Sequence, residues 1–260
     1  MGVFTYKSSI DSCWLCHSSM KPSREHKFKA TDIRRHFGSD SMYVATFSGD
    51  KRARLAQGPN SKNLKYRSVI CENCNSSVTQ ESDFAYDSFI RAIEKNDATG
   101  FGAHLVWQQE EFKEGGSLYI PLFRYFAKLL GCHLADIEAP IPRHLIRFVK
   151  KETERNCIFL DIRSDPTYAT LDARLQNERL KFAAHGGLVV ITGGPKALPR
   201  RLHSTLSIGK FQFIYEYNYT KFEIWEMQVI QREFIKLCVT ASQKAVSNPL
   251  AEADLDRLGL

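Results

Sequence analysis

Two cysteine pairs with the same internal spacing, Cys13-Trp14-Leu15-Cys16 and Cys71-Glu72-Asn73-Cys74, constrain this chain more than any other feature. A Cys-x2-Cys turn presents two thiolates on one knuckle, and two such knuckles can close a tetrahedral shell around one Zn²⁺. The total of seven cysteines is odd, and 260 residues suffice to bury a core without covalent staples. A metal site is therefore expected in place of a disulfide framework. Four thiolates leave no open coordination position, so this zinc is expected to be structural and to take no part in hydrolysis. Cys132, Cys157 and Cys238 lie in apolar contexts and read as small buried side chains.

The opening MGVFTYKSSIDS has no apolar signal-peptide region, and no run approaches the roughly 18 apolar residues of a membrane span. Tyr6 stands where N-myristoylation wants a small hydroxyl residue, so no lipid anchor is expected. The expected setting is cytoplasmic, with no membrane partner. Hydrophobic residues make up 43% and charged residues 25%, which places the chain among folded proteins and excludes a disordered one. The net charge of +7 favours polyanionic partners, but residues 1–98 carry only 15 Lys and Arg against 11 Asp and Glu. Charge alone names no function.

The pattern predicts an α+β fold in two parts: residues 1–98, a boundary region at 99–115, and a mixed α+β domain at 116–260. In the first part, Thr31 to Gly38 reads as a short helix capped by Thr31, followed by strands over residues 41–48 and 65–70. Phe84, Phe89 and Ile90 then recur at helical spacing through residue 94. Beyond the boundary, helices are expected near 118–131, ended by Gly131, and near 143–152, 168–183 and 228–243. Strands are expected over 157–161, 187–192, 211–217 and 222–227, and the tail after Pro249 is expected to fray or dock weakly.

Between the knuckles stands Arg24-Glu25-His26, and Asn75 follows the second knuckle directly. With the basic helix ending Phe37-Gly38, these blocks occur in the order of a known nuclease type. Residues 10–95 resemble an HNH endonuclease, a zinc-stapled ββα-metal nuclease. The resemblance implies cleavage of DNA phosphodiesters with Zn²⁺ as staple and Mg²⁺, or another divalent ion, as catalytic metal. By position, His26 would be the general base, and Glu25 and Asn75 would hold the catalytic ion. A neutral imidazole suits proton removal from water near neutral pH, and carboxylate and amide oxygens are hard ligands suited to Mg²⁺. Neighbouring strand residues face opposite sides, so Glu25 and His26 can share one site only at a strand end or bend.

The chain departs from the family pattern in two places. The middle Asn would fall at Tyr66, so Asn63, eight positions before Cys71, or a backbone carbonyl must orient the histidine. No basic residue follows Asn75 in Ser76 to Gln80, which leaves Arg24, Arg35, Lys51 and Arg52 as candidate phosphate contacts. Two other readings share these features: a non-catalytic zinc module that binds nucleic acid, and a protein-interaction adaptor with a structural zinc unit. The C-terminal part carries no known fingerprint. Target recognition, a regulatory ligand and homo-oligomer formation all fit it, and a nuclease joined to such a unit is similar to phage and bacterial defence proteins by analogy alone.

Overall fold

The computed structural model describes residues 2–7, 9–44, 54–98, 100, 102–165, 168 and 183–247. In the first part lie β1 (Thr5–Lys7), β2 (Pro22–Ser23), α1 (Ala30–Phe37), β3 (Met42–Val44), β4 (Arg54–Ala56), β5 (Ile70–Cys71) and α2 (Gln80–Ala98). A 3-10 turn at Lys62–Leu64 precedes β5, and a π-helical turn at Cys74–Val78 leads into α2. Strand β2 runs antiparallel to β5, with Pro22 opposite Cys71. The pairing continues beyond both strands. The Tyr66 amide donates to the Glu25 carbonyl (2.9 Å), His26 bridges Lys65, and the Lys27 amide donates to the Leu64 carbonyl (2.8 Å). The register slips by two residues between Ser23–Ile70 and His26–Lys65, so the expected strand over 65–70 is interrupted by a bend at Arg67 and Ser68, while the first segment bends at Lys27 and Phe28, just after Glu25-His26.

The second part holds α3 (Tyr119–Asp136), β6 (Pro140–Pro142), α4 (Arg143–Val149), β7 (Ile158–Ser164), β8 (Ala183–His185), β9 (Val189–Gly193), β10 (Leu198–Ile208), β11 (Phe211–Asn218), α5 (Lys221–Ile230) and α6 (Arg232–Ser247). An antiparallel sheet is ordered β7-β11-β10-β8, with β9 along the first half of β10. Gly209 turns the β10–β11 hairpin at φ +55, a conformation that favours glycine. The N-terminal β1 pairs with β6, so the chain start is tied to the second part.

Helix α3 is buried from Pro121 to Ala135 and forms the centre of one hydrophobic cluster. Tyr86 of α2 stacks on Tyr125 (4.1 Å between ring centres), and Phe126 packs against Tyr215 of β11 (5.2 Å). Trp14 of the first knuckle is fully buried in the same cluster. The core is therefore continuous across the expected boundary at 99–115. The structure is mixed α+β, as expected.

Several local expectations differ from the structure. Gly131 does not end its helix, which runs on to Asp136; a Cβ there would lie 2.3 Å from the Trp14 ring, so the glycine makes room for the knuckle. Residues 222–227 are helical in α5, because Thr220 and Glu223 form a reciprocal capping box that starts a helix. Strand β10 was not expected. Its core contacts come from Leu202, Ser204, Leu206 and Ile208, and the interspersed Arg, His and Ser obscure the alternation. Helix α1 starts at Ala30, with Lys29 before it, while Thr31 donates its hydroxyl to Asp87 (2.9 Å). Most of the expected helix at 168–183, residues 45–48 of the expected strand, and the tail from residue 248 lie outside the described residues.

Candidate functional site

The short β2–β5 pairing brings the knuckles together. Cys13, Cys16, Cys71 and Cys74 place their sulfurs within 4.8 Å of one another, with 3.6 Å between Cys16 Sγ and Cys71 Sγ. A Zn–S bond of about 2.3 Å in a tetrahedron separates sulfurs by roughly 3.8 Å, so the cluster fits a zinc ion. It does not fit a disulfide, whose sulfurs bond at about 2.0 Å. The Cys74 amide donates to Cys71 Sγ (3.5 Å), and the Cys13 amide to the Ser18 carbonyl (2.8 Å), which holds the first knuckle closed. A hydrogen bond from the Cys74 thiol, helped by the amides of Cys71, Cys16 and Leu15 and opposed by burial, brings the Cys13 thiol down to about 4. The same contact with Cys13 pushes the Cys74 thiol up, and burial pushes Cys16 up, so within the cluster Cys13 is the thiol that ionises most readily. Among the described residues, it is the one group of three or more His, Cys, Asp or Glu side chains placed to hold a metal. His17, next to Cys16, packs against Tyr6 at 3.9 Å between ring centres, with the ring planes tilted by 37°.

The strand pair then separates Glu25 from His26. Glu25 turns into the interior, where Lys128 Nζ of α3 lies 3.2 Å from its Oε1 and 2.7 Å from Asp83 Oδ1. Burial works against charge on Lys128, but the two carboxylates outweigh it and raise the ammonium above its ordinary range. Burial pushes the Glu25 carboxyl up, and Lys128 opposes that shift. The position expected to face a divalent ion thus faces the protein's own cation. Lys29 joins the network by donating to the Asp83 carbonyl and also pairs with Asp87 (2.8 Å).

His26 is half-buried among other groups. Burial, followed by the charges of Lys65, Arg34 and Lys128, lowers the imidazole to about 4. A hydrogen bond with the Pro59 backbone opposes that shift, while Nε2 is buried without a partner. The neighbour of the imidazole is thus a main-chain group, and Asn63 is not hydrogen-bonded to it. Asn63 instead donates from Nδ2 to the Leu55 carbonyl (3.0 Å) and fastens the 3-10 turn to β4. Asn75 donates from Nδ2 to Ser23 Oγ (3.3 Å), and its buried Oδ1 has no partner.

Arg24 and Arg34 are exposed, whereas Arg35 is tied to Asp32 (2.5 Å) and Glu94 (3.4 Å). Lys51 and Arg52 lie outside the described residues. Sequence reasoning missed Lys128, Lys65 and Pro59 as neighbours of the site. Only Lys128 left a signal: with Arg124 it forms an i,i+4 pair of cations in an otherwise apolar helix, and such a cation requires an interior counter-charge. No known protein family, curated protein or solved structure matches the chain.

Proposed function

We propose that the chain is a zinc-stapled endonuclease of the HNH type that hydrolyses DNA phosphodiesters, with His26 as general base. What supports the reading above all is the His26 imidazole, hydrogen-bonded to the Pro59 backbone, with a buried, unpartnered Nε2 and with the charges of Lys65 and Arg34 nearby. A phosphate drawn to those cations would offset their charge on the ring and raise its basicity toward the useful range. His26 Nε2 would take a proton from water as the oxygen bonds to phosphorus in line. The bond to the 3′ oxygen would break, and solvent would protonate the leaving oxygen. Arg34 and Lys65 would neutralise charge that builds on the phosphorus oxygens. The four cysteines would hold zinc and fix the strand pair beneath His26.

Glu25 does not fit the role of Mg²⁺ ligand while Lys128 occupies its carboxylate, and Asn75 alone is too little to hold that ion. The same ion pair favours a second reading, a zinc module that binds nucleic acid without cutting it. Incubating supercoiled plasmid with a series of divalent ions, beside salt-dependent DNA binding, separates the two. His26→Ala is expected to lower cleavage by about 10²-fold or more while zinc content and DNA affinity persist. Cleavage by purified His26→Ala at the wild-type rate would overturn the assigned base. DNA binding by the wild type without cleavage in any divalent ion selects the second reading.

A further inference from the structure

Helix α5 buries both of its glutamates and leaves an apolar stripe exposed. Its carboxylates are interior: Glu223, 3% exposed, accepts from the Tyr217 hydroxyl (2.7 Å) and the Thr220 amide (2.7 Å). Glu226, 5% exposed, accepts from the Thr5 amide (2.6 Å), the Thr5 hydroxyl (2.8 Å) and the Phe4 amide (3.0 Å). Ile224 and Met227 are buried beside them, but four further apolar side chains face solvent, with Phe222 65%, Trp225 58%, Val229 47% and Ile230 49% exposed. Phe222, Trp225 and Val229 stand at i, i+3 and i+7, which makes one stripe. Phe4 of the N-terminal arm stacks on Phe222 at 5.4 Å between ring centres and widens that stripe.

We propose that this stripe is a self-association surface, on which α5 of one copy packs antiparallel against α5 of a second copy across a two-fold axis. An interface of this kind must be self-complementary, since each residue meets its counterpart twice. The stripe meets that condition. Trp225 lies near its middle, so Phe222 of one copy faces Val229 of the second, and the reverse. The exposed Lys221 at the helix start comes beside the carbonyl end of the other copy's α5, where a cation is stabilised.

The area is also of the right order. Two aromatic and two aliphatic side chains exposed by about half or more offer roughly 400 Å² of apolar surface per copy. With the usual polar rim, two copies reach about 1,200 Å², the lower end of stable interfaces. A lipid surface fits less well. An interfacial helix carries Lys and Arg opposite its apolar stripe, whereas the opposite side of α5 is buried in the protein and its charged residues there, Glu223 and Glu226, are acidic.

Sedimentation velocity on the full chain, from low to high micromolar, tests the proposal. The wild type is expected to pass from monomer to dimer. Phe222→Lys and Val229→Glu are each expected to raise the dissociation constant at least about tenfold. An equimolar mixture of the two variants should dimerise again, because the new ammonium of one copy meets the new carboxylate of the other while the reciprocal Val229–Phe222 contact stays native. Both sites are exposed, and far-UV circular dichroism checks the fold. A wild type that stays monomeric throughout would overturn the proposal without any variant. So would folded single variants that still dimerise, or a mixture that does not pair. Pelleting of a monomeric wild type with phosphatidylcholine–phosphatidylserine vesicles would reassign the stripe to lipid.

Discussion

Lys128 enters the interior from a helix that is apolar on nearly every side, and its ammonium is fully buried. Such a charge persists only where opposite charges and hydrogen bonds replace water, and Glu25 and Asp83 supply both. Removing the cation alone should be costly, because the 8%-exposed Glu25 side chain would keep no comparable partner. Lys128→Met is expected to lower unfolding stability by about 3–5 kcal/mol, read from urea melts. Adding Glu25→Gln should recover much of the loss, since a neutral amide is cheaper to bury than an unpaired carboxylate. A double variant as unstable as Lys128→Met would mean that the pair is not the source of the cost. Glu25→Gln in the plasmid assay has a separate meaning. Unchanged cleavage by that variant would agree with a structural Glu25, and abolished cleavage in a folded protein would return the residue to the reacting site.

At the scale of elements, the knuckles do for β2 and β5 what length cannot, since two residues per strand are too few to hold a pair together. Chelation of the metal, or Cys71→Ser, is expected to remove one zinc per chain and open the strand pair. Faster hydrogen exchange at the amides of Tyr66 and Lys27, beside zinc content by mass spectrometry, checks this, and unchanged protection after complete zinc loss would refute it. The cluster was legible in the sequence because metal ligation demands both residue type and spacing. Helices α2 and α3 were legible because apolar residues recur on them with helical period, though Gly131 misled: its role depends on Trp14, far away in the chain. The partners of the candidate site were not legible. Glu25 finds its counter-charge on α3 and His26 its support at Pro59, and such long-range pairings leave no local pattern. The α5 stripe was missed because residues 222–227 read as a strand, while the Thr220–Glu223 capping box makes them a helix.

Across the whole molecule, a polar seam joins the cysteine-flanked strand pair to α3 and the large sheet. Tyr66 OH lies 2.8 Å from His185 Nε2 of β8, Ser204 Oγ of β10 lies 3.0 Å from His133 Nε2 of α3, and the two imidazoles stack at 4.8 Å between ring centres. Burial, with the Lys27 charge adding, lowers His185 to about 3. Burial, His185 and Lys27 push His133 well below its ordinary value, and His26 is lowered as well, to about 4. All three shifts have the same consequence. Near pH 7 these rings are neutral in folded and unfolded chains alike. As pH falls below about 6.5, the unfolded chain takes up protons that the folded one refuses, so stability declines toward the folded values. Glu226 acts in a different window. Burial pushes it up, but hydrogen bonds from Thr5, Phe4 and Val3 outweigh that and lower it, so its contribution is present above the ordinary carboxylate range and is lost only as pH falls through the lower folded value. A decline that begins between roughly pH 6.5 and 5 therefore belongs to the histidines. Thermal melts over that range are expected to show a falling Tm in the wild type and in the exposed-site control His104→Gln. The fall should be shallower in the His133→Gln, His185→Gln double variant. A level wild-type Tm, or a double variant with the wild-type slope, would show that the seam does not couple the two parts through proton uptake.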